Sequence, residues 1–174
     1  MQSSLVSARK VAIHRKLGYA AIALVLTMIA LGIATAIHSA QRGFSPPGAP
    51  PPLIFMVIPM GDLTVFIVLI ALAFWYRNRP ETHKRLMIIG TLAILPPATA
   101  RILFHFAAAG VLPLSYGAAF LVMLGCMLYD YINHQRVHPA YIWGSLFFVV
   151  SVPLRIYVGG THVWLSFAHW ITGT

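Results

Sequence analysis

Residues 53–76 have the sequence LIFMVIPMGDLTVFIVLIALAFWY, in which Asp62 is the one charged side chain. A helix of about 20 mostly apolar residues crosses the hydrocarbon core of a bilayer, and this stretch is long enough to do so. Four further stretches of similar length and polarity follow the same pattern, at 17–37, 86–106, 111–132 and 141–158. The sequence therefore predicts five transmembrane segments.

The composition of the 174-residue chain agrees with this prediction. Hydrophobic residues make up 59% of it and charged residues 9%, whereas a soluble domain has about 25% charged residues. Segments in lipid must satisfy their own backbone groups, so they are helices or strands of a closed barrel. Barrel strands are about 10 residues long and alternate in polarity, which these stretches do not. The predicted fold class is all-α, an integral membrane helical bundle.

The whole chain, 1–174, is predicted to form a single transmembrane domain with two segments that do not span. Residues 39–52 contain five prolines and form an extended loop on the outer face. In the tail, 159–174, polar residues recur every three or four positions, at His162, Ser166 and His169. This pattern predicts a short amphipathic helix that lies in the membrane interface or folds over the bundle.

Basic residues set the orientation. The formal net charge is +9, and nine of the cations fall on one side of the predicted bundle, whose opposite loops hold Arg42 alone. The nine are Arg9, Lys10, Arg15, Lys16, Arg77, Arg79, Lys84, Arg85 and Arg136. The positive-inside rule then predicts a cytoplasmic N-terminus and a C-terminus on the outer face. Topology and attraction to anionic lipid account for the charge, so we infer no nucleic-acid partner.

Three charged residues lie in the outer halves of the predicted spans, each a few positions after a proline: Asp62, Arg101 and Arg155. A charge at the centre of a membrane helix costs about 2.5–3.5 kcal/mol on insertion scales, so each needs a partner. One hypothesis is a structural charge cluster in which Asp62 pairs with Arg101 or Arg155. The other is a polar cavity whose excess positive charge binds an anionic ligand. On the cytoplasmic side, Glu81 and Asp130 are expected to pair with the Arg and Lys side chains around them.

Six of the eight histidines bracket helices that run in the same direction, at spacings of 22 to 24 residues. The pairs are His14 with His38, His83 with His105, and His138 with His162. His38 and His105 should therefore lie at the same depth near the outer face. They form a candidate ligand pair for a b-type haem, with Arg101 and Arg155 placed to meet its propionates. His14 and His83 form a second candidate metal-ligating pair at the opposite face.

Three short motifs carry a resemblance to known proteins: HRKLG (14–18), RPETHKRLM (79–87) and RVHPAYIWG (136–144). They resemble a group of small uncharacterised bacterial multi-pass inner-membrane proteins, a likeness that covers most of the chain and implies no assigned chemistry. In general plan the chain is also similar to the compact membrane b-type cytochromes, which implies haem held by histidine pairs. Those proteins place ligands inside the membrane, whereas the histidines here mark its edges. We therefore expect a single haem or a quinone near the outer face, and not a relay of haems that carries electrons across the membrane.

Three function classes follow from these patterns. The first is electron transfer through a b-type haem or a quinone near the outer face. The second is an accessory role, in which small residues such as Gly32 and Ala36 dock the chain onto a larger membrane complex or a second copy. The third is transport of a small ion or anion at Asp62. The sequence contains no Walker loop, Rossmann fingerprint or CxxC motif, and it leaves open whether the protein is an enzyme.

The topology prediction can be checked with reporter fusions. Fusions at Gly48 and at Gly173 should both report a periplasmic location, because both positions lie opposite the nine loop cations. A fusion at Asn78 is the matched control and should report the cytoplasm. A cytoplasmic signal from Gly48 or Gly173 would contradict the predicted orientation.

Overall fold

A computed structural model describes residues 11–103 and 110–174, and these residues form helices without any strand. The helices are α1 (Val11–Gln41), α2 (Pro52–Phe55), α3 (Val57–Trp75), α4 (Pro80–Ala93), α5 (Pro96–Leu103), α6 (Val111–His134), α7 (Pro139–Gly159) and α8 (His162–Thr172). Five segments are long and apolar enough to span a membrane: Lys16–Gln41, Pro52–Trp75, Pro80–Leu103, Val111–His134 and Pro139–Gly159. The predicted all-α membrane bundle of five spanning helices and a short C-terminal helix is confirmed.

Prolines explain where the helices depart from the predicted boundaries. The third span begins at Pro80 instead of 86, because proline is well suited to the first position of a helix and polar residues follow it. The same span is interrupted after Ala93, where α4 ends shortly before Pro96 and Pro97. A proline has no N–H to donate to the preceding turn, which interrupts the helix. The second span is likewise divided at Met56, just before Pro59.

The core of the bundle lies among α3, α4, α6 and α7. Its most deeply buried apolar residues, each at most 1% exposed, are Leu69, Ala73, Ile89, Ala93, Ala119 and Phe148. Glycines allow close approach between these helices. A Cβ atom at Gly90 would lie 2.9 Å from Cδ1 of Ile70, and one at Gly144 would lie 2.7 Å from Cδ1 of Ile89. Small residues at helix contacts are typical of membrane bundles, since they increase van der Waals contact between the backbones.

Helix α1 packs on the edge of this core through small residues. A Cβ atom at Gly32 would lie 2.9 Å from both terminal carbons of Leu63 on α3, and Ala36 is 5% exposed. The other side of α1 is exposed, as shown by Leu24 and Leu31 at 60% and 62%. The Gly32–Ala36 pair, which the sequence suggested as a docking face for another protein, is therefore used inside this chain.

Helix α8 folds over the end of the bundle that carries the proline-rich loop. Its Ala168 and Thr172 are buried, and the indole Nε1 of Trp164 donates a hydrogen bond to the backbone oxygen of Leu53 at 2.9 Å. Gln41 at the end of α1 donates from Nε2 to the backbone oxygen of Thr172, also at 2.9 Å. These contacts attach the C-terminal helix to α1 and α2.

The close α3–α4 contact generates a stability prediction. Gly90→Leu should lower the stability of the folded bundle by about 1–3 kcal/mol, because the new side chain must displace Ile70 and Leu69 in a packed interface. Gly125→Leu is the matched control, since Gly125 is exposed and has no atom within 4 Å of its missing Cβ. Thermal unfolding in detergent micelles measures both. Equal losses in the two variants would contradict the described packing.

Candidate functional site

A buried ion pair joins α3 to α7. The guanidinium Nη1 of Arg155 pairs with Oδ1 of Asp62, and the two residues are 5% and 1% exposed. Tyr116 on α6 completes the site, because its hydroxyl donates to the two carboxylate oxygens at 2.9 and 3.0 Å. Together with Ser151, these residues form what we call the Asp62 network. Three helices thus converge on one carboxylate.

The remaining donors of Arg155 are also used. Nη2 donates to the hydroxyl of Ser151 at 2.6 Å, and Nε donates to the backbone oxygen of Ser151 at 3.1 Å. Nη1 also donates to the backbone oxygen of Ile58 at 3.3 Å. Gly61 makes room for the guanidinium, since a Cβ atom there would lie 2.7 Å from Nε of Arg155. Burying a charge is tolerated when it is paired and hydrogen-bonded, and Arg155 meets that condition.

The structure brings together Asp62 and Arg155 but not Arg101. Arg101 is exposed on α5, and no ion pair within 11–103 and 110–174 includes it. The reason is the break after Ala93, since α5 packs mainly against α6 and not beside Asp62. Sequence reasoning missed Tyr116 and Ser151, because a single tyrosine or serine within an apolar run gives no signal of its own.

The residues of the predicted haem site lie in different surroundings. His38 is exposed near the end of α1, and Arg155 is paired with Asp62. His105 lies outside the described residues, as does the side chain of His14. His83 is half-buried, and its Nδ1 lies 2.7 Å from the backbone oxygen of Ala73. A carbonyl oxygen only accepts, so Nδ1 of His83 carries a proton and donates it to Ala73.

A second network joins α4 to α6 at the other end of the bundle. Arg85 and Asp130, each 3% exposed, pair through Nη2 and Oδ1, and Nε of Arg85 adds a bond to the same oxygen at 3.2 Å. Glu81 accepts from Nη1 of Arg85 at 2.5 Å, and Lys84 lies 2.7 Å from the same carboxylate. Glu81 and Asp130 therefore pair with neighbouring cations, as expected. We call this group, with His134 and His138, the Asp130 network.

The turn before α7 is attached to the same carboxylate. Oδ2 of Asp130 accepts the backbone N–H of His138 at 2.8 Å, and Nδ1 of His134 lies 3.1 Å from the backbone oxygen of Asp130. The ring of Tyr141, in the first turn of α7, has its centroid 5.7 Å from Cζ of Arg85. Burial of the ring, and next the charge of Arg85, lower the pKa of His138 from its ordinary value.

The two networks lie far apart, but in each one a buried carboxylate is paired with an arginine. Tyr116 and Asp130 are both on α6, and at 1.5 Å per residue their separation along the helix is about 21 Å. All three acidic residues of the chain belong to one network or the other. Among the described residues, each buried side-chain nitrogen and oxygen has a hydrogen-bond partner. Within the same residues, no group of three or more His, Cys, Asp or Glu side chains could hold a metal ion.

The helices and networks define a multi-pass membrane protein with ion pairs buried in its core. No protein-family model, curated protein or solved structure matches the chain. Its function is therefore inferred from the chemistry of the two networks and of the surface around them.

The Asp62 network predicts strong coupling between its charged members. Asp62→Leu and Arg155→Met should each destabilise the bundle by about 3–5 kcal/mol, because each leaves a buried charge without its partner. The double variant should be more stable than either single variant, since it removes both charges together. Reversible unfolding by sodium dodecyl sulfate in mixed micelles measures the three stabilities.

Arg101→Met is the matched control for this cycle. It removes a cation from an exposed position, where a substitution typically changes stability by about 0.5 kcal/mol or less. A double variant less stable than both single variants would contradict the described pairing. A loss of stability in Arg101→Met as large as that in Arg155→Met would also contradict it.

Proposed function

We propose that the protein is a non-catalytic accessory subunit of a larger complex in the bacterial inner membrane, with its N-terminus in the cytoplasm. The observation that carries the proposal is that all three acidic residues are paired with cations of the same chain. Asp62, Glu81 and Asp130 are paired with Arg155, Arg85 and Lys84 inside the chain. These groups hold helices to each other, and the chain offers its outer surface to partners. The nine cations that the sequence places on one side of the bundle support the proposed orientation.

The contacts of Arg155 favour this role over transport of an anion or ion. A transported anion would have to replace Asp62 on the guanidinium, and a transported cation would have to replace the guanidinium on Asp62. Either exchange would also disturb the bonds to Tyr116 and Ser151. Removing one partner of a buried ion pair leaves an uncompensated charge in an apolar environment, which is strongly unfavourable.

The same contacts bear on the haem or quinone hypothesis. A propionate held by Arg155 would compete with Asp62 for the same guanidinium. Arg101 is exposed and could meet such a group, but the described contacts join it to no histidine. The outer-face pair of His38 and His105 stays a prediction, and the experiment below includes its test.

The surface offered to a partner is apolar and lies on α6 as well as α1. Leu121, Leu124 and Leu128 on α6 are 70%, 56% and 59% exposed. In the membrane such side chains meet lipid tails or another protein. Because lipid is as apolar as leucine, helices associate there through shape and close packing and not through a hydrophobic driving force.

Site-specific photo-crosslinking in native membranes tests the accessory role. A photoreactive residue at Leu121 should give a discrete protein adduct that comigrates with a complex much larger than the 19.1 kDa chain. A photoreactive residue at Phe148, which is 0% exposed, is the matched control and should give only products within the chain. A monomeric chain that crosslinks only to lipid from every exposed helix would contradict the proposal.

The two competing functions are measured on the purified protein. Vesicles containing the wild-type chain should show the same proton and chloride permeability as protein-free vesicles. The reduced protein should show no haem absorption band. An ion flux abolished by Asp62→Leu would instead establish transport, and a haem band removed by His105→Ala would establish the outer-face cofactor.

A further inference from the structure

Residues 135–138 join α6 to α7 in a turn fixed by contacts at both ends. Gln135 has a left-handed backbone, with φ of 55°, and its N–H donates to the backbone oxygen of Tyr131 at 2.7 Å. His138 precedes the first residue of α7, and its ring Nδ1 accepts the backbone N–H of Ala140 at 3.1 Å. Its own backbone N–H is bound by the buried Asp130. The imidazole is thus the N-terminal cap of α7.

An imidazole can cap a helix in only one protonation state. Nδ1 has a lone pair when the ring is neutral with its proton on Nε2, whereas both nitrogens donate when the ring is charged. Protonation of His138 would therefore place two donors against each other, Nδ1–H and the N–H of Ala140. It would also place a positive charge at a helix N-terminus, where the helix dipole is unfavourable for cations. The usual caps, Ser, Thr, Asn and Asp, keep an acceptor oxygen at neutral pH.

The charged groups around the ring come from α4, α6 and the turn itself. They are Arg85, Asp130, Glu81 and Arg136. The two carboxylates favour a charged ring, but both are already engaged by Arg85. Burial, and next the charge of Arg85, lower the pKa of His138 below its ordinary value of 6.5. His134 differs, since it is exposed and bonds only to Asp130 of its own helix. The folded turn therefore favours a neutral His138.

We propose that the 135–138 turn is a proton-sensitive joint, which holds the first turn of α7 in place while His138 is neutral and releases it when His138 is protonated. The pKa of His138 is lower in the capped state than in the released state. The stabilisation by the cap is therefore fully present above pH 6.5, the ordinary pKa of histidine. It decreases as the pH falls from 6.5 towards the lowered pKa of His138 in the capped state.

The joint is connected to the rest of the bundle through Tyr141. This residue is 5% exposed, and its ring lies beside the guanidinium of Arg85. Release of the first turn of α7 would move Tyr141 away from Arg85 and free one oxygen of Asp130. Acid at this membrane face would thus loosen the contact between α7 and α4. The joint does not depend on the accessory role proposed above.

Hydrogen exchange of the intact chain in lipid nanodiscs tests the joint. The protection factor of the Ala140 amide, corrected for the intrinsic exchange rate, should fall by about fivefold between about pH 7.5 and about pH 5.5, as expected for loss of one N-cap. In His138→Asn the side-chain oxygen of asparagine accepts the Ala140 N–H and does not titrate. Protection of the Ala140 amide should therefore stay high at both pH values. In His138→Ala protection should be low at both. His134→Asn is the matched control and should titrate like the wild type.

A direct measurement on the unsubstituted chain keeps the proposal testable if a variant fails to fold. Imidazole ¹⁵N chemical shifts should show Nδ1 of His138 without a proton above pH 7, and the Ala140 amide shift should change with the same midpoint as the ring. A proton on Nδ1 at that pH would overturn the proposal. The proposal would also be overturned if the protection of the Ala140 amide responded equally to pH in wild type and His138→Asn. It would likewise be overturned if that response were lost in His134→Asn.

Discussion

A charged carboxylate inside an apolar bundle must be paired and hydrogen-bonded, and the arrangement of α3, α6 and α7 meets that requirement at Asp62. Arg155 pairs with it and Tyr116 donates to both of its oxygens. The ion pair also constrains neighbouring residues that carry no charge. Position 61 must be glycine-sized, because a Cβ atom there would meet Arg155, and Ser151 supplies the acceptors that the guanidinium still needs. A single buried ion pair thus constrains side chains on three helices.

The Asp130 network repeats this solution at the other end of the bundle, so the core helices are held together at two levels about 21 Å apart along α6. Helices α1 and α8 are held differently. Helix α1 contacts the core through small residues such as Gly32, which lies against Leu63 of α3. The hydrogen bonds of Gln41 and Trp164 join α1 to α8 and α8 to α2. Because stability varies across a structure with the number of buried contacts, α1 and α8 should open at lower free energy than the core. The fold therefore combines a rigid ion-paired centre with a more easily displaced edge.

The sequence predicts the spanning helices well, because the length of an apolar run is set by bilayer thickness. It also predicts that Asp62 needs a cation, but the choice between Arg155 and Arg101 depends on the helix break after Ala93, which a hydropathy pattern does not show. Tyr116 was missed because the rotation of α6 about its axis cannot be derived from a run that is apolar on all sides. The early start of α4 was missed because its first turn, from Pro80, is polar. The cap by His138 was missed because Ser, Thr, Asn and Asp are the expected capping residues.

The most direct test of this account measures which arginine contacts Asp62 in a bilayer. Solid-state NMR of the chain in lipid, with ¹³C in the aspartate carboxyl groups and ¹⁵N in the arginine side chains, detects dipolar coupling between groups in contact. Asp62→Leu and Arg155→Met each identify their own signal. We expect a coupling between the Asp62 carboxylate and the Arg155 guanidinium that corresponds to the ion-pair limit of about 4 Å or less. Coupling of Asp62 to Arg101, or no coupling of Asp62 to any arginine, would contradict this expectation.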